Sequence, residues 1–156
     1  MKQKFIDAYM DVAERFAQLS SAVRLQVGAI VVKDDRIVSI GYNGMPTGWD
    51  NCCEDVVSIP HWAKSIDDIP EEDNHIYVEY KSKPEVLHAE SNAIAKLARS
   101  PESGEGASIF ITHSPCIDCA KLIYQSGIAT VYYKNNYRST QGIEFLNKSN
   151  IKVVKV

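Results

Sequence analysis

The sequence predicts an α/β protein in which helices cover both faces of a mixed sheet of five strands. Three observations support this prediction. An amphipathic helical pattern opens the chain, an apolar hairpin follows it, and helices alternate with strands from there to the end. A chain of 156 residues is long enough for one domain with a buried core, so we expect a single domain over residues 1–156.

Each expected element has its own signature. Apolar residues at helical spacing predict the first helix, and the β-branched run from Gly28 to Val32 predicts a strand buried on both faces. Asp34-Asp35 turns the chain into the second strand of a hairpin. The two central helices begin near His88 and Pro115, where strong helix formers follow. The predicted helices cover residues 3–19, 88–99, 116–125 and 140–147, and the predicted strands cover residues 28–32, 36–42, 107–112, 129–134 and 151–156.

An irregular insertion at about residues 45–84 interrupts this alternation. Pro60, Pro70 and Pro84 break it into short pieces, and acidic residues cluster between positions 67 and 73. We expect a surface loop that is functional, mobile or both, with at most a short helix near residues 59–66.

The charge of the chain argues against a polynucleotide ligand. The net charge is −3 and the isoelectric point is about 5.8, so no basic stripe is available to neutralise many phosphates. A single small nucleotide needs only one or two cations and is compatible with this composition. No apolar run approaches the roughly 20 residues of a membrane span, and the charged N-terminus is unlike a secretory signal. We therefore expect a cytoplasmic protein.

The candidate catalytic residues lie in two short segments, His88-Ala89-Glu90 and Pro115-Cys116-Ile117-Asp118-Cys119. One imidazole and two thiolates are suitable ligands for Zn²⁺ with its fourth position left to water. The carboxylate of Glu90, two residues from the histidine, can move protons at that open position. H-x-E followed by P-C-x-x-C is the pattern of zinc nucleobase deaminases, in which the glutamate acts as acid and base and is not a ligand. The sequence therefore predicts one catalytic zinc held by His88, Cys116 and Cys119.

Two other interpretations of these residues stay open. A structural zinc site would need a fourth protein ligand. The residues available to supply it are Cys52, Cys53, His61, His75 and His113. A thioredoxin-like redox pair at Cys116 and Cys119 would leave His88 and Glu90 without a role.

Beyond these motifs the chain resembles the deoxycytidylate (dCMP) deaminases over nearly its whole length, and it is most similar to the phage-type members. The segments that carry the resemblance are Val27-Gly28-Ala29, Gly41-Tyr42-Asn43-Gly44-Met45-Pro46, Asn51-Cys52-Cys53, His88 to Ile94, Ser114 to Ile123 and Gln125 to Ile128. The resemblance implies a three-layer fold like that of the cytidine deaminases. It also implies hydrolysis of dCMP to dUMP and ammonia, which supplies dUMP for thymidylate synthesis.

Regulation and assembly are implied by the same resemblance. Family members are homohexamers that dCTP activates and dTTP inhibits, with Mg²⁺ accompanying the triphosphate. For a phage-encoded member the expected location is the host cytoplasm.

The resemblance further implies roles for individual residues, with Glu90 as the catalytic residue. The implied substrate-binding residues are Asn43, Ala89, Ser114, Tyr137 and Arg138, of which Ala89 and Ser114 act through their backbone groups. The implied allosteric residues are Gly41, Tyr42, Asn43, Gly44 and Arg99. Local chemistry alone would explain the glycine-rich segment as a turn, Tyr137 as a packed aromatic and Arg99 as a cation at a helix C-terminus.

The chain departs from those phage members that carry a second zinc site. Residues 20–26 hold no cysteine, and His61 and His75 are the only histidines in the insertion. We therefore expect a single zinc, and we expect Cys52 and Cys53 to be buried thiols.

Three other functions remain open within this chemistry. A tRNA adenosine deaminase has the same His-x-Glu and Cys-x-x-Cys arrangement, but the acidic isoelectric point and the acidic insertion disfavour it. A free cytidine or guanine deaminase would differ in substrate only. A zinc-containing nucleotide sensor without activity would not need Glu90.

Overall fold

The predicted alternation of helices and strands is present in the structure, a computed structural model that describes all residues 1–156. The helices are α1 (Gln3–Ala17), α2 (Asn74–Tyr77), α3 (Ala89–Ala98), α4 (Ile117–Gln125) and α5 (Gln141–Lys148). The strands are β1 (Gly28–Lys33), β2 (Arg36–Tyr42), β3 (Glu54–Ser58), β4 (Glu79–Ser82), β5 (Ser108–His113), β6 (Thr130–Asn135) and β7 (Lys152–Lys155). None of the helices combines the length and the apolar character of a membrane-crossing segment.

Five of the strands form the central mixed sheet in the order β2-β1-β5-β6-β7. β1 is antiparallel to β2 and to β5, whereas β5 is parallel to β6 and β6 to β7. Asp34 and Asp35 form the turn between β1 and β2 with φ angles of 49° and 57°, which a tight hairpin turn requires. The predicted fold class, an α/β protein with a mixed five-stranded sheet, is confirmed.

Helices bury both faces of this sheet, so alternate residues of β1 and β5 enter two different cores. The face covered by α1 holds Ile6, Met10, Ala13, Ile30, Val32, Phe110 and Tyr132. On the opposite face α3, α4 and α5 contribute Ala89, Ala93, Leu97, Ala120, Ile123 and Leu146. The rings of Phe110 and Tyr132 stack with their centroids 4.6 Å apart.

The C-terminal ends of β2, β5 and β6 lie at the same end of the sheet, because β2 and β5 both run antiparallel to β1 and β6 runs parallel to β5. α4 begins just after β5, and α3 begins beside the end of β2. The N-termini of these two helices therefore meet at this end of the sheet, beyond the carboxyl ends of the strands, which is where ligands bind in open α/β sheets.

The insertion is more regular than its sequence indicates. β3 and β4 pair as a separate antiparallel sheet, and two short 3₁₀ turns at Ile66–Asp68 and Glu71–Asp73 lie between them. The short helix that the sequence allowed near residues 59–66 does not form, and residues 61–65 form turns and bends. Asp68 accepts the backbone N–H groups of Lys64 and Ser65 and so begins a separate turn at that point.

Candidate metal centre and active site

The structure brings His88, Cys116 and Cys119 together at this end of the sheet, at the N-termini of α3 and α4. His88 Nδ1 lies 3.6 Å from Cys116 Sγ and 3.4 Å from Cys119 Sγ, and the three ligand atoms lie within 4.8 Å of one another. Zn–S bonds of about 2.3 Å and Zn–N bonds of about 2.0 Å in a tetrahedral site separate a sulfur from a nitrogen ligand by about 3.5 Å. The two observed sulfur–nitrogen separations therefore suit a zinc ion.

Both ligand-bearing helices present their ligands at the N-terminus. His88 and Cys116 are the N-cap residues of α3 and α4, and Cys119 lies in the first turn of α4. Neither N-cap side chain bonds to the helix backbone, which leaves both free to bind a metal. The partial positive charge at a helix N-terminus favours the thiolate form that zinc requires.

A backbone bridge between Gly44 and Leu87 fixes the start of α3 against the end of β2. The Gly44 N–H donates to Leu87 O at 3.1 Å, and the Leu87 N–H donates to Gly44 O at 2.9 Å. Because Leu87 directly precedes His88, this bridge connects the glycine-rich segment to the zinc ligand.

The carboxyl group of Glu90 is buried beside these ligands. The residue is 4% exposed and lies in the first turn of α3, two residues after His88. Burial raises the pKa of Glu90 to about 7. A carboxyl group with this pKa both accepts and releases a proton near neutral pH, as general acid–base catalysis requires.

In the metal-free protein the two cysteine thiols differ in acidity. The hydrogen bond from the Cys119 thiol, together with that from His88, lowers the pKa of Cys116 to about 4. The same interaction with Cys116, followed by burial, raises the pKa of Cys119. A hydrogen bond to Cys116 also raises the pKa of His88. Metal binding therefore has to displace protons from these groups, which makes zinc affinity dependent on pH.

No fourth histidine, cysteine or carboxylate joins this ligand group, which favours a catalytic over a structural zinc site. Cys53 is buried with its Sγ 3.3 Å from Ser21 Oγ. Cys52 is exposed, so the expectation that both thiols are buried is wrong for it. Successive side chains of an extended chain point to opposite sides, and Cys53 takes the inward position.

Asn43 is buried and its side chain holds the segment that leads into β1. Its Oδ1 accepts the N–H of Val27 at 2.8 Å, and its Nδ2 donates to Leu25 O at 2.8 Å. A carboxamide has a second N–H and a second lone pair, so one donor and one acceptor remain for a ligand.

The other members of the glycine-rich segment differ in their surroundings. A Cβ atom on Gly41 would lie 2.1 Å from Ala89 O, so Gly41 allows β2 to contact the backbone of α3. A Cβ atom on Gly44 would meet nothing within 4 Å. Lys96 Nζ lies 5.7 Å from the centroid of the Tyr42 ring. Arg99 is exposed at the C-terminus of α3 and forms no ion pair within the chain.

The remaining residues implied in substrate binding lie at the start of α3 (Ala89), just before α4 (Ser114) and in the loop after β6 (Tyr137 and Arg138). Ala89 is fully buried, and Ser114 is 4% exposed. The Ser114 hydroxyl accepts the N–H of Tyr137 at 2.8 Å, which attaches the loop after β6 to the ligand-bearing segment. The Arg138 guanidinium lies 5.4 Å from the centroid of the half-buried Tyr137 ring.

Sequence reasoning missed a buried carboxylate in the insertion. Glu54 is 7% exposed, and its carboxylate accepts the backbone N–H groups of Val23 and Arg24 at 3.2 and 3.3 Å. It therefore fixes the connection between α1 and β1. No sequence signal could have identified it, because an acidic residue inside an acidic insertion is expected to be solvated.

Comparisons with known proteins agree with this geometry. The model of the cytidine and deoxycytidylate deaminase zinc-binding region matches residues 3–135. The deoxycytidylate deaminase of Enterobacteria phage T4 is 37% identical over 150 residues, which cover 82% of this chain and 76% of the relative. The human deoxycytidylate deaminase is 37% identical over 129 residues, which cover 82% of this chain and 63% of the relative.

A solved structure resembles the whole chain. It is the dCMP deaminase of the cyanophage S-TIM5 in complex with dCMP and dUMP, which is 43% identical with a TM-score of 0.82. The match covers 100% of this chain and 99% of the other. The family model, the curated relatives and the solved structure agree, and the chain therefore belongs to the cytidine and deoxycytidylate deaminase family, whose members are hydrolases.

Proposed function

We propose that this protein catalyses the zinc-dependent hydrolysis of dCMP to dUMP and ammonia. The observation that carries the proposal is the buried carboxyl of Glu90 beside a group of exactly the three ligands that leave zinc an open position. Relatives named deoxycytidylate deaminase support the choice of dCMP, as does the solved relative in complex with dCMP and dUMP.

Glu90 moves the protons in this mechanism. His88, Cys116 and Cys119 would hold the zinc ion, which would lower the pKa of a bound water molecule to near neutrality. Glu90 takes the proton of that water and delivers it to the N3 atom of cytosine. The water oxygen forms a bond to C4 of the ring and still carries a second proton. Glu90 takes this second proton and gives it to the amino group as the C4–N4 bond breaks, so that one water is consumed and one ammonia is released. The raised pKa of Glu90 suits both directions of transfer near neutral pH.

Five residues are proposed to hold the substrate. The backbone groups of Ala89 and Ser114 contact the pyrimidine edge, and Asn43 contacts the sugar through its remaining donor and acceptor. Tyr137 lies against the nucleotide, and Arg138 approaches the phosphate. The hydrogen bond from the Tyr137 N–H to the Ser114 hydroxyl supports a common location for these groups.

Regulation by dCTP as activator and dTTP as inhibitor is proposed through Gly41, Tyr42, Asn43, Gly44 and Arg99. The bridge from Gly44 to Leu87 supports this role, because it gives a ligand at the glycine-rich segment a direct connection to His88. Mg²⁺ accompanies the triphosphate in this regulation.

The proposed assembly is a homohexamer. Arg99 supports such an assembly as an exposed cation without an acidic partner in its own chain. A single domain over residues 1–156 and a cytoplasmic location complete the proposal.

The decisive variant is Glu90→Gln, which keeps the size of the side chain and removes its acid–base function. We expect it to retain the fold and about one zinc per chain, as measured by circular dichroism and elemental analysis, and to lose ammonia release from dCMP. Glu105→Gln, which alters an exposed carboxylate in a loop, is the matched control and should keep full activity. Turnover by Glu90→Gln would remove Glu90 from the mechanism, and a folded wild-type preparation without metal would contradict the whole proposal.

Substrate and regulation are tested by ammonia release from dCMP, CMP, deoxycytidine, dCTP and an adenosine-containing RNA. We expect dCMP to be the best substrate, with higher rates in dCTP and lower rates in dTTP when Mg²⁺ is present. A preference for the RNA or for the free nucleoside would contradict the substrate assignment. Equal rates with both triphosphates would contradict the regulatory part alone.

A further inference from the structure

The start of α5 packs directly against the backbone that leads into the second ligand-bearing helix. Gly142 lies in the first turn of α5 and is buried. A Cβ atom on Gly142 would lie 2.1 Å from Pro115 O and 2.9 Å from Cys116 O. The backbone of α5 therefore touches the backbone of the proposed zinc ligand Cys116, and only a residue without a side chain allows this approach.

A glycine at this position is unfavourable for the helix itself. Glycine is among the least favourable residues of an α-helix, whereas alanine is the most favourable. The backbone of Gly142 is not left-handed, so no special φ angle requires a glycine. Close packing against Pro115 and Cys116 is therefore the physical reason for glycine here.

The loop between β6 and α5 holds the residue two positions before Cys116. The Tyr137 N–H donates to Ser114 Oγ at 2.8 Å, and the Ser114 N–H donates to Asn135 O at 2.8 Å. The Asn135 side chain also donates from Nδ2 to Thr112 O at 3.1 Å. The end of β5 and the approach to α4 are therefore bonded to a single stretch of chain that ends in α5.

α5 is also anchored on the side away from these contacts. Leu146 is fully buried in the core between the sheet and helices α3 to α5. The ring of Phe145 meets the ring of Tyr124 in α4 edge-on, with their centroids 6.0 Å apart. Because α5 has little freedom to move away, a side chain at Gly142 would displace the backbone of Cys116.

We infer that the segment from Asn135 to Gly142 positions the proposed zinc ligand Cys116, and that Gly142 is the positioning residue at the point of contact. The inference rests on the proposed zinc site. The family model matches residues 3–135, so nearly all of this segment lies beyond the residues that it matches. The sequence predicted a helix over residues 140–147 and gave it no part in the site.

The test measures the zinc affinity of Gly142→Ala. To reach an ordinary contact distance of 3.4 Å, Pro115 O has to move by about 1.3 Å, the difference between 3.4 Å and 2.1 Å. Ligand distances in a metal site are defined to within about 0.2 Å. We therefore expect the zinc dissociation constant, measured by competition with a chromophoric chelator, to rise about tenfold to a hundredfold.

Cobalt substitution adds a readout that a loss of stability alone would not change. Co²⁺ bound by thiolates absorbs visible light at wavelengths that depend on the arrangement of its ligands, and we expect shifted bands in Gly142→Ala. Gly104→Ala is the matched control, because a Cβ atom on Gly104 would lie 2.4 Å from Ser126 O, at the opposite end of α4 from the ligands. This control should lose Tm and keep the wild-type zinc affinity and cobalt bands.

Ser114→Ala tests the same segment without overpacking it. The change removes the hydroxyl group that accepts the Tyr137 N–H, and it leaves the backbone of Ser114 in place. We expect the zinc dissociation constant to rise about twofold to tenfold, as loss of one hydrogen bond predicts. If Gly142→Ala does not fold, unchanged zinc affinity in Ser114→Ala would overturn the inference.

The outcomes separate this inference from the proposed function. A folded Gly142→Ala protein with the wild-type zinc affinity and cobalt bands would overturn the positioning role, and so would equal changes in Gly104→Ala. A wild-type protein that binds zinc without deaminating dCMP would contradict the proposed function alone, because the metal measurements still test the positioning role. A wild-type protein that binds neither metal would overturn both.

Discussion

Replacing Gly41 with alanine should displace α3, the helix that carries the buried carboxyl group of Glu90 and begins directly after His88. A Cβ atom at this position would lie 2.1 Å from Ala89 O and 2.6 Å from Ala93 N, both in the backbone of α3. Ordinary van der Waals contact begins near 3.4 Å, so the oxygen would have to retreat by about 1.3 Å, the difference between 3.4 Å and 2.1 Å. A backbone oxygen inside a helix cannot rotate away, and the first turns of α3 must move with it.

The cost of that movement can be given in free energy and in rate. Overpacking by a methyl group costs about 1–3 kcal/mol of unfolding free energy. For a chain of this length the cost corresponds to a decrease in Tm of about 2–12 °C. A displacement of about 1 Å in a reacting group lowers the rate by up to about a hundredfold. Gly41→Ala should therefore lose both stability and dCMP turnover.

The assay is thermal unfolding followed by circular dichroism, together with ammonia release at saturating zinc. Gly44→Ala is the matched control for stability, because a Cβ atom there meets nothing within 4 Å and its backbone is not left-handed. We expect its free energy of unfolding to stay within about 0.5 kcal/mol of the wild type. A Gly41→Ala protein as stable as Gly44→Ala would refute the packing argument.

Three further predictions concern the site. Asn43→Ala should lose about 1–3 kcal/mol in urea unfolding, because the backbone groups of Leu25 and Val27 lose a buried partner. Asn43→Asp should also lose stability, because its carboxylate would place an acceptor oxygen against Leu25 O, to which Asn43 donates; wild-type stability in either variant would contradict this role of Asn43. Removal of zinc by a chelator should lower the Tm and addition of zinc should restore it, because the metal binds the folded state; an unchanged Tm would contradict the metal centre. Burial lowers the pKa of His113, so below about pH 6.5 the unfolded chain takes up a proton that the folded protein resists, and stability falls. Between about pH 7 and pH 5 the wild type should therefore lose more unfolding free energy than His113→Leu. Equal losses in urea titrations would contradict the lowered pKa of His113 in the folded protein.

Most of the fold was predictable because local signals agree with the global arrangement. The β-branched run of β1, the turn at Asp34-Asp35 and the helix boundaries at Pro115 and Gly127 each have one favoured conformation. The strands of the insertion were not predictable on these grounds. β3 and β4 are paired across 20 intervening residues, and Val56 and Val57 are both exposed, so no alternation of apolar and polar residues indicates a buried face.

The ligand group was predictable because its residues are defined by spacing along two helices. His88 and Glu90 are close in sequence, and Cys116 and Cys119 lie one helical turn apart, so local geometry alone brings each pair together. The surroundings of the ligands depend on contacts between distant segments. Glu54 reaches the connection before β1, and neither spacing nor composition encodes such a contact.

The glycine-rich segment shows how one motif can contain different constraints. From sequence its glycines have two explanations, a turn in the chain or close approach of a ligand, and neither distinguishes one glycine from another. In the structure Gly41 is required by the approach of α3, whereas Gly44 has open space around it and bonds to Leu87 only through its backbone. A side chain at Gly44 would thus occupy space that a ligand can use, and a side chain at Gly41 would not. Effects on the proposed regulation and effects on folding should therefore be separable within this motif.

The N-termini of α3 and α4 connect stability to function in this protein. Ser, Thr, Asp or Asn at an N-cap stabilises a helix by about 0.5–2 kcal/mol relative to a residue that cannot cap. His88 and Cys116 occupy these positions and bond to neither helix, so both helices forgo that stabilisation. Burial of Glu90, which raises the pKa of its carboxyl group to about 7, adds further cost near neutral pH in the metal-free protein. A divalent cation between the two helix N-termini would bind His88 and both thiolates at once. The chain should therefore be most stable in its zinc-bound form, which is also the form that the proposed reaction requires.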